Sequence, residues 1–232
     1  DSCANGASGW TSNTTTDWDG DGCLDEDLDG WTLSSLGGTS NDRVLDVVTD
    51  SLNNTYVTGY FQGTATFGSI NLTSLGAKDV FVAKMAPNGT WEWAISGGTS
   101  VVDDVAYSIA ITQQGVIYIT GYHGGATFGN STLGCYGPKD MFVAKITNSG
   151  TWEWAVSAGT GADHWGNDYD EGKAIAVDTS GNAYVTGIYS DEITFGSTTL
   201  TTSYWAANDI FVAKIQPNRT WEWALTHTSR MY

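Results

Sequence analysis

Positive charge is scarce in this sequence. Nine Lys and Arg residues stand against 26 Asp and Glu, so the formal net charge of the 232-residue chain is −17. A surface of this sign repels phosphate backbones and anionic lipid headgroups, which argues against nucleic acid and membrane surfaces as partners. Cations and neutral glycans are the partners that the charge favours.

Long apolar runs and helical periodicity are also missing. No apolar segment reaches the roughly 20 residues of a membrane-spanning helix, so no direct membrane insertion is expected. No stretch keeps the 3.6-residue spacing of an amphipathic helix. A chain with only three prolines but 29 glycines, and many Ser, Thr and Asn residues, is typical of short strands joined by tight turns. We therefore predict an all-β fold.

The three cysteines and the glycosylation acceptors bear on location. Cys3 and Cys23 bracket one Asp- and Gly-rich segment, and we predict a disulfide between them. Cys135 has no His or Arg beside it in the sequence and is interpreted as a small buried hydrophobic residue. Together with the disulfide, the Asn-x-Ser/Thr acceptors predict an extracellular or cell-surface protein. These acceptors are Asn13, Asn53, Asn71, Asn88, Asn130 and Asn218.

A long internal repeat organises the chain. The segment that begins DVFVAK at Asp79 and continues through TWEWA recurs from Asp140 and from Asp209, and a partial copy precedes it. The aligned tryptophans Trp31, Trp91, Trp152 and Trp221 are 60 to 69 residues apart. We divide the chain into an Asp-rich segment, 1–30, and a repeat region, 31–232. Repeats start near residues 31, 91 and 152, and a partial repeat starts at 221.

Each repeat contains four strand patterns. FVAK, TWEWA, an AIAVD-like run and a YVTGY-like run alternate with period two, and Gly- or Asn-containing turns predict a hairpin within each successive pair. A three-residue turn at 87–89 would set Lys84 opposite Glu92 and Ala83 opposite Trp93. The same spacing pairs Lys145 with Glu153 and Lys214 with Glu222. We interpret these charges as sheet-stabilising ion pairs.

These motifs in this order resemble the blade repeat of secreted bacterial and archaeal β-propellers, over about residues 31–224. The resemblance implies tandem four-stranded antiparallel blades, about three in number, stacked face to face. It implies no single activity, because propellers host many functions.

The number of blades raises a question about assembly. If a blade runs from FVAK to YVTGY, then 79–122 and 140–188 are complete, and the chain ends hold parts of a third that overlap at Trp31 and Trp221. Two or three blades do not close a ring, which typically needs at least four. The chain is then a fragment of a longer propeller, half of a six-bladed ring of two chains, or a subunit that joins identical subunits head to tail by strand addition.

The Asp-rich segment contains a calcium-loop pattern. Asp17, Asp19 and Asp21 occupy positions 1, 3 and 5 of a D-x-D-x-D-G loop, the Cys23 carbonyl position 7 and Asp25 position 9. Position 12 is Leu28, so Asp27 or Asp29 would have to replace the expected carboxylate. The segment resembles the calcium loops of thrombospondin type-3 repeats, and calcium is the predicted cofactor.

No catalytic motif stands out. The three histidines, His123, His164 and His227, have no equivalents in the other repeats, and G-x-S-x-G, H-E-x-x-H and C-x-x-C are absent. We predict a calcium-stabilised extracellular structural protein without enzymatic activity, which assembles into a filament or other surface polymer. The alternatives are a carbohydrate-binding or adhesion module, with Trp165, Tyr204 and Trp205 as ligand contacts, and a piece of a larger secreted propeller.

Overall fold

The chain is all-β wherever its structure is described. A computed structural model describes residues 36–100, 102–160, 169–202 and 208–227. These residues form 19 β-strands and contain no helix, so within them there is no helix that could cross a membrane. The predicted fold class is therefore confirmed.

Twelve strands form three antiparallel sheets of four strands, which we call blades 1, 2 and 3. In order across the sheet, blade 1 contains β2 (Arg43–Thr49), β3 (Thr55–Phe61), β6 (Asp79–Met85) and β7 (Trp91–Gly97). Blade 2 contains β8 (Val105–Ile111), β9 (Ile117–His123), β12 (Asp140–Ile146) and β13 (Trp152–Ala158). Blade 3 contains β14 (Glu171–Val177), β15 (Ala183–Ser190), β18 (Asn208–Ile215) and β19 (Trp221–Thr226).

A small hairpin lies between the second and third strands of every blade. These hairpins are β4 (Thr64–Phe67) with β5 (Ile70–Thr73), β10 (Thr127–Phe128) with β11 (Ser131–Thr132), and β16 (Glu192–Phe195) with β17 (Thr198–Thr201). A short strand, β1 (Leu36–Gly37), extends the first of them by pairing with β4. Each hairpin packs a phenylalanine against the first tryptophan of the fourth strand, as in the Phe195–Trp221 pair with ring centroids 4.9 Å apart. The sequence pattern did not predict these hairpins.

The boundaries of the blades differ from the sequence prediction. FVAK pairs with the YVTGY strand that precedes it, because the small hairpin returns the chain alongside that strand. A blade therefore runs from the AIAVD-like strand to the TWEWA strand. The described residues hold three complete blades, and the expectation of two complete blades with overlapping parts at the ends was wrong. Trp31, on which the overlap also depended, lies outside the described residues.

The predicted hairpins are present, with a shift in register. The turn residues Gly89, Gly150 and Arg219 have φ values of 81°, 76° and 75°, a left-handed conformation that closes a three-residue loop followed by a bulge. A register shift between Lys84 and Met85 sets Lys84 opposite Trp93. Ala83 lies opposite Ala94, so its predicted pairing with the tryptophan was wrong.

The predicted ion pairs form in all three blades. The distances between Nζ and Oε2 are 2.9 Å for Lys84–Glu92, 2.8 Å for Lys145–Glu153 and 2.9 Å for Lys214–Glu222. Two of the lysines also lie over a tyrosine ring of the second strand, Lys84 at 5.5 Å from the Tyr56 centroid and Lys214 at 5.6 Å from the Tyr184 centroid. The repetition of the ion pairs in every blade supports a structural role.

The hydrophobic core lies between successive blades. One cluster joins Val80 and Val82 of blade 1 to Ile109 and Phe142 of blade 2. A second joins residues of blade 2, such as Val143, to the facing side of blade 3. Because every blade buries both faces only when it has a neighbour on each side, the two terminal blades determine which surfaces stay exposed.

Candidate interaction surface

Each blade has two faces that differ in chemistry. We call the face toward the preceding blade the leading face and the face toward the following blade the trailing face. At the junction of blades 1 and 2, the trailing face of blade 1 contributes Tyr56, Val80 and Val82, and the leading face of blade 2 contributes Ile109 and Phe142. Within the described residues, the leading face of blade 1 and the trailing face of blade 3 have no blade against them.

The trailing face of blade 3 exposes apolar side chains whose equivalents in the other blades are buried or partly buried. Val212 is 42% exposed, whereas its repeat equivalents Val82 and Val143 are 0% exposed. Ile210 is 58% exposed, against 0% for its equivalents Val80 and Met141. Leu225, on the fourth strand, is 62% exposed. These side chains are apolar, like those of the interior junctions, but no blade covers them within the described residues.

The leading face of blade 1 shows the same contrast near its first strand. Val47 is 55% exposed and its equivalent Ile109 is 2% exposed. Val44 is 43% exposed, against 0% for Ala106. Farther out, the sheet of β1, β4 and β5 lies beside the blade and Phe67 is buried. Only the part near the first strand is therefore uncovered.

The energy of covering these side chains is appreciable. Complete burial of an exposed Val, Ile or Leu contributes about 1.5–3 kcal/mol. Because the three side chains of blade 3 are already about half buried, covering them would contribute about 1 kcal/mol each. A contact that also covered Val44 and Val47 would bury five partly exposed apolar side chains.

A tyrosine and lysine cluster lies where blades 2 and 3 meet. Lys139 Nζ is 4.1 Å from the Tyr122 ring centroid, and Lys173 Nζ is 4.1 Å from that of Tyr107. Both ammonium groups bind the buried Glu171 carboxylate, whose pKa is lowered because hydrogen bonds from the two lysines outweigh the opposing effect of its burial. Tyr122 is buried, and an ammonium group covers one face of the Tyr107 ring, which limits the stacking surface that the cluster offers to a sugar.

Buried aspartates hold the loops that lead into the blades. Asp104 accepts hydrogen bonds from the Thr99 and Gly124 amides at 2.8 and 3.0 Å. Its pKa is raised to about 7, mainly by burial and further by nearby carboxylates, and burial raises the pKa of Asp140 to about 6. These groups serve as acceptors for backbone amides, and no cluster of three metal-ligating side chains occurs among the residues described.

The one fully buried histidine in the described ranges also has a structural environment. His123 is 0% exposed, and its Nδ1 accepts the Gly125 amide at 2.9 Å. Burial lowers its pKa to about 4, so the imidazole is neutral at physiological pH. No nucleophilic side chain is hydrogen-bonded to it in the described part of the chain.

Most predicted site residues lie outside the described residues. This holds for both disulfide cysteines, Cys3 and Cys23, for the sugar-contact residues Trp165, Tyr204 and Trp205, and for the acceptor Asn13. It also holds for the calcium ligands, Asp17, Asp19, Asp21, Cys23, Asp25, Asp27 and Asp29. The calcium site, the disulfide and the sugar contacts stay predictions.

Two further predictions can be compared with the structure. The acceptors Asn53, Asn71, Asn88, Asn130 and Asn218 are all exposed. Cys135 is exposed in the loop that precedes β12, so its interpretation as a buried residue was wrong. The segment around it is not part of a strand, and a cysteine in such a loop is not enclosed by neighbouring blades.

The exposed face of blade 3 was missed by sequence reasoning. Val212 and Leu225 belong to the same FVAK and WEWA motifs as their buried equivalents, so each motif alone indicates a core residue. The signal that distinguishes them is position, because blade 3 is the last blade of the described residues. Alignment of the repeats with the correct blade boundary would have found it.

Comparison with known proteins supports the repeat architecture. A family model described as "Beta-propeller repeat" matches residues 161–187. The chain is 22% identical over 209 residues to an uncharacterized WD repeat-containing protein of Acanthamoeba polyphaga mimivirus, an alignment that covers 74% of this chain and 14% of the viral protein. The chain thus spans a small part of that relative's length. Together with the three four-stranded sheets, these similarities support an architecture of β-propeller-type repeats.

Proposed function

We propose that this β-propeller repeat protein is an extracellular structural subunit that associates with copies of itself through the faces its terminal blades leave uncovered. The observation that carries the proposal is the exposure of Ile210 and Val212, whose equivalents are buried at both interior junctions, and of Leu225, whose equivalents are partly buried there. Stacking of complete blades replaces the strand addition that the sequence suggested, because the described blades have no missing strand. A second copy offers uncovered blade faces of the same repeat type.

The extracellular location and lack of enzymatic activity are part of this proposal. Five glycosylation acceptors on exposed sites are compatible with an exported protein. The lysines of the ion pairs and the neutral His123 have structural partners, which supports a scaffold. The glycan-binding alternative depends on Trp165, Tyr204 and Trp205 and gains little stacking surface from Tyr107 or Tyr122.

The double substitution Val212→Glu with Leu225→Glu tests self-association. We expect the wild-type chain to form larger species as its concentration rises, and the variant to associate at least about 100-fold more weakly, since two carboxylates would have to be buried without partners. Sedimentation velocity measures this difference. Thermal unfolding should change much less than association, because both side chains are only about half buried in the isolated chain.

The matched control is Thr199→Glu with Thr201→Glu. Both threonines are exposed on β17, so this variant carries the same charge without altering the uncovered faces. It should associate like the wild-type chain. A wild-type chain that stays monomeric at high concentration, or a face variant that associates normally, would contradict the proposal.

Calcium stabilisation is the second testable part of the proposal. Calcium bound to the Asp17, Asp19 and Asp21 loop stabilises the folded state by about 2.7 kcal/mol when its concentration is 100 times the dissociation constant. We expect chelation to lower the melting temperature of the wild-type chain, and the triple Asp→Asn variant to show no response. Calorimetric titration should detect binding to the wild-type chain alone. Absence of binding heat together with an unchanged melting temperature would remove calcium from the proposal.

A further inference from the structure

We propose that the uncovered leading face of blade 1 in one copy is the partner of the uncovered trailing face of blade 3 in the next, so that copies join head to tail. This inference rests on the self-association proposed above and specifies which surfaces meet. The new junction repeats those contacts of the interior junctions that involve the uncovered part of the leading face, near the first strand. Hydrogen-bonding groups on the two uncovered faces, as well as their apolar side chains, support this pairing.

The second tryptophan of each fourth strand bonds to the following blade. Trp93 Nε1 donates to the Asn148 carbonyl at 3.1 Å, and Trp154 Nε1 donates to the Pro217 carbonyl at 3.1 Å. Trp223 is the equivalent in blade 3, and none of the described residues accepts a hydrogen bond from its indole. The repeat position of Asn148 and Pro217 is held in blade 1 by Pro87. The Pro87 carbonyl of the next copy is therefore the acceptor that Trp223 lacks.

The first tryptophan of the fourth strand faces the preceding blade. Trp152 Nε1 in blade 2 donates to the Ser96 carbonyl of blade 1 at 3.2 Å. Its equivalent in blade 1, Trp91, has a buried Nε1 with no hydrogen-bond partner among the described residues. This Nε1 is enclosed within the chain itself, so a second copy does not contact it, and the hydrogen bond proposed between copies is that of Trp223.

The hydrogen bonds of the first strands differ between the interior junctions and the proposed junction. At the interior junctions, the Ile109 amide donates to Asp46 Oδ2 at 2.9 Å, and the Ile175 amide donates to Ser108 Oγ at 3.3 Å. Blade 3 has Ala174 at the position of Asp46 and Ser108 and so offers no acceptor. Blade 1 needs none, because the Val47 amide donates to Oδ1 of its own neighbour Asp46 at 2.9 Å. The two uncovered faces therefore fit each other without an unpaired amide.

Contact between two identical faces would not achieve this fit. Two trailing faces would bring no Pro87 carbonyl to Trp223, and two leading faces would leave Trp223 outside the contact. Head-to-tail contact provides an acceptor for Trp223 and covers Val44 and Val47 together with Ile210, Val212 and Leu225.

Mixing two blocked variants tests the polarity. One chain carries Val212→Glu with Leu225→Glu, which blocks the trailing face, and the other carries Val44→Glu with Val47→Glu, which blocks the leading face. We expect each chain alone to be monomeric, and an equimolar mixture to form a dimer that contains one copy of each. Native mass spectrometry identifies its composition, and sedimentation velocity its affinity.

A matched pair of additional substitutions tests the hydrogen bond. Trp223→Phe in the chain whose trailing face is free should weaken the mixed dimer by about tenfold, the effect of losing roughly one hydrogen bond. The same substitution in the chain whose trailing face is blocked should leave the dimer unchanged. Equal effects in both chains would contradict the assigned contact.

Failure of the inference is distinguishable from failure of the proposed function. If the wild-type chain never associates, self-assembly itself is wrong. If the wild-type chain associates but one blocked variant alone associates equally well, assembly occurs through identical faces and the head-to-tail arrangement is wrong. Association of the wild-type chain without any dimer in the mixture would also overturn the inference.

Discussion

Gly121→Val is expected to abolish the folded state. A Cβ atom at Gly121 would lie 1.8 Å from the carbonyl oxygen of Val105 and 2.8 Å from its carbonyl carbon. These are backbone atoms of the adjacent first strand, held at this distance by the bulge between Ala106 and Ser108. The overlap cannot be relieved by rotating a side chain. We expect destabilisation of more than about 4 kcal/mol, a large fraction of the roughly 5–15 kcal/mol by which a typical domain is stable.

Circular dichroism and urea denaturation measure this effect, with Gly134→Ala as the control. A Cβ atom at Gly134 would have no neighbouring atom within 4 Å, so its substitution should leave the denaturation midpoint nearly unchanged. Gly59 and Gly187 hold the same position in blades 1 and 3, with Cβ distances of 1.9 and 2.0 Å to a carbonyl oxygen, and their substitution should be similarly severe. A cooperative unfolding transition of Gly121→Val near the wild-type midpoint would contradict this prediction, because the backbone at the bulge would then have moved to accommodate the side chain.

This glycine illustrates how much of the fold the repeat pattern could predict. The alternating residues around the recurring TG dipeptide of YVTGY predict a strand, and the structure places this dipeptide in the second strand of every blade. The reason that glycine recurs there cannot be deduced from one strand, because the Cβ atom of another residue would overlap the backbone of the adjacent strand. Local alternation predicts strands and hairpins, whereas close approaches between strands depend on the assembled sheet.

The blade boundary shows the same difference between local and distant information. Turn residues such as Gly89 and Gly115 predicted both hairpins of a repeat. Longer segments connect one hairpin to the next. Their composition does not indicate which of these segments joins two strands of the same blade and which leads to the next blade. The small hairpin that contains Phe67 decides it, because its aromatic ring packs on Trp91 and brings the third strand beside the second.

The candidate site was the least predictable feature. Val82, Val143 and Val212 come from the same motif, and a periodicity argument treats them alike. Their exposure differs because two of them have a following blade and the third has none within the described residues. Burial in a repeat protein depends on neighbouring units, so a motif that indicates a core in one repeat indicates an interface in another.

The stability of the protein is expected to depend on pH through Asp104. Its pKa is about 7 in the folded state and 3.8 in an unperturbed chain. Between these values the folded protein holds a proton that the unfolded chain has released, so stability falls as pH rises from about 4 to about 7. Asp140, with a folded pKa of about 6, acts in the same direction up to that pH. One pKa unit corresponds to about 1.4 kcal/mol, so the contribution of Asp104 is of the order of a few kcal/mol.

His123 opposes part of this effect. Its folded pKa of about 4 lies below the unperturbed 6.5, so between these values the unfolded chain binds the extra proton and stability falls as pH decreases. The pH profile of the wild-type chain alone therefore mixes opposing contributions. Comparison with Asp104→Asn, which cannot ionise, separates the contribution of Asp104 from that of His123.

The measurement is the free energy of unfolding from denaturant titrations between pH 4 and pH 7.5. Asp104→Asn should be less stable than wild type at pH 4, since the amide group cannot accept both backbone hydrogen bonds, and this difference should shrink by a few kcal/mol as pH rises. Asp191→Asn removes the same charge at a residue with a φ of 56°, which asparagine tolerates, and serves as the control for loss of a carboxylate. If the profiles of wild type and Asp104→Asn run parallel, Asp104 is ionised in the folded protein, and the two amides that bind it hold a carboxylate rather than a carboxylic acid.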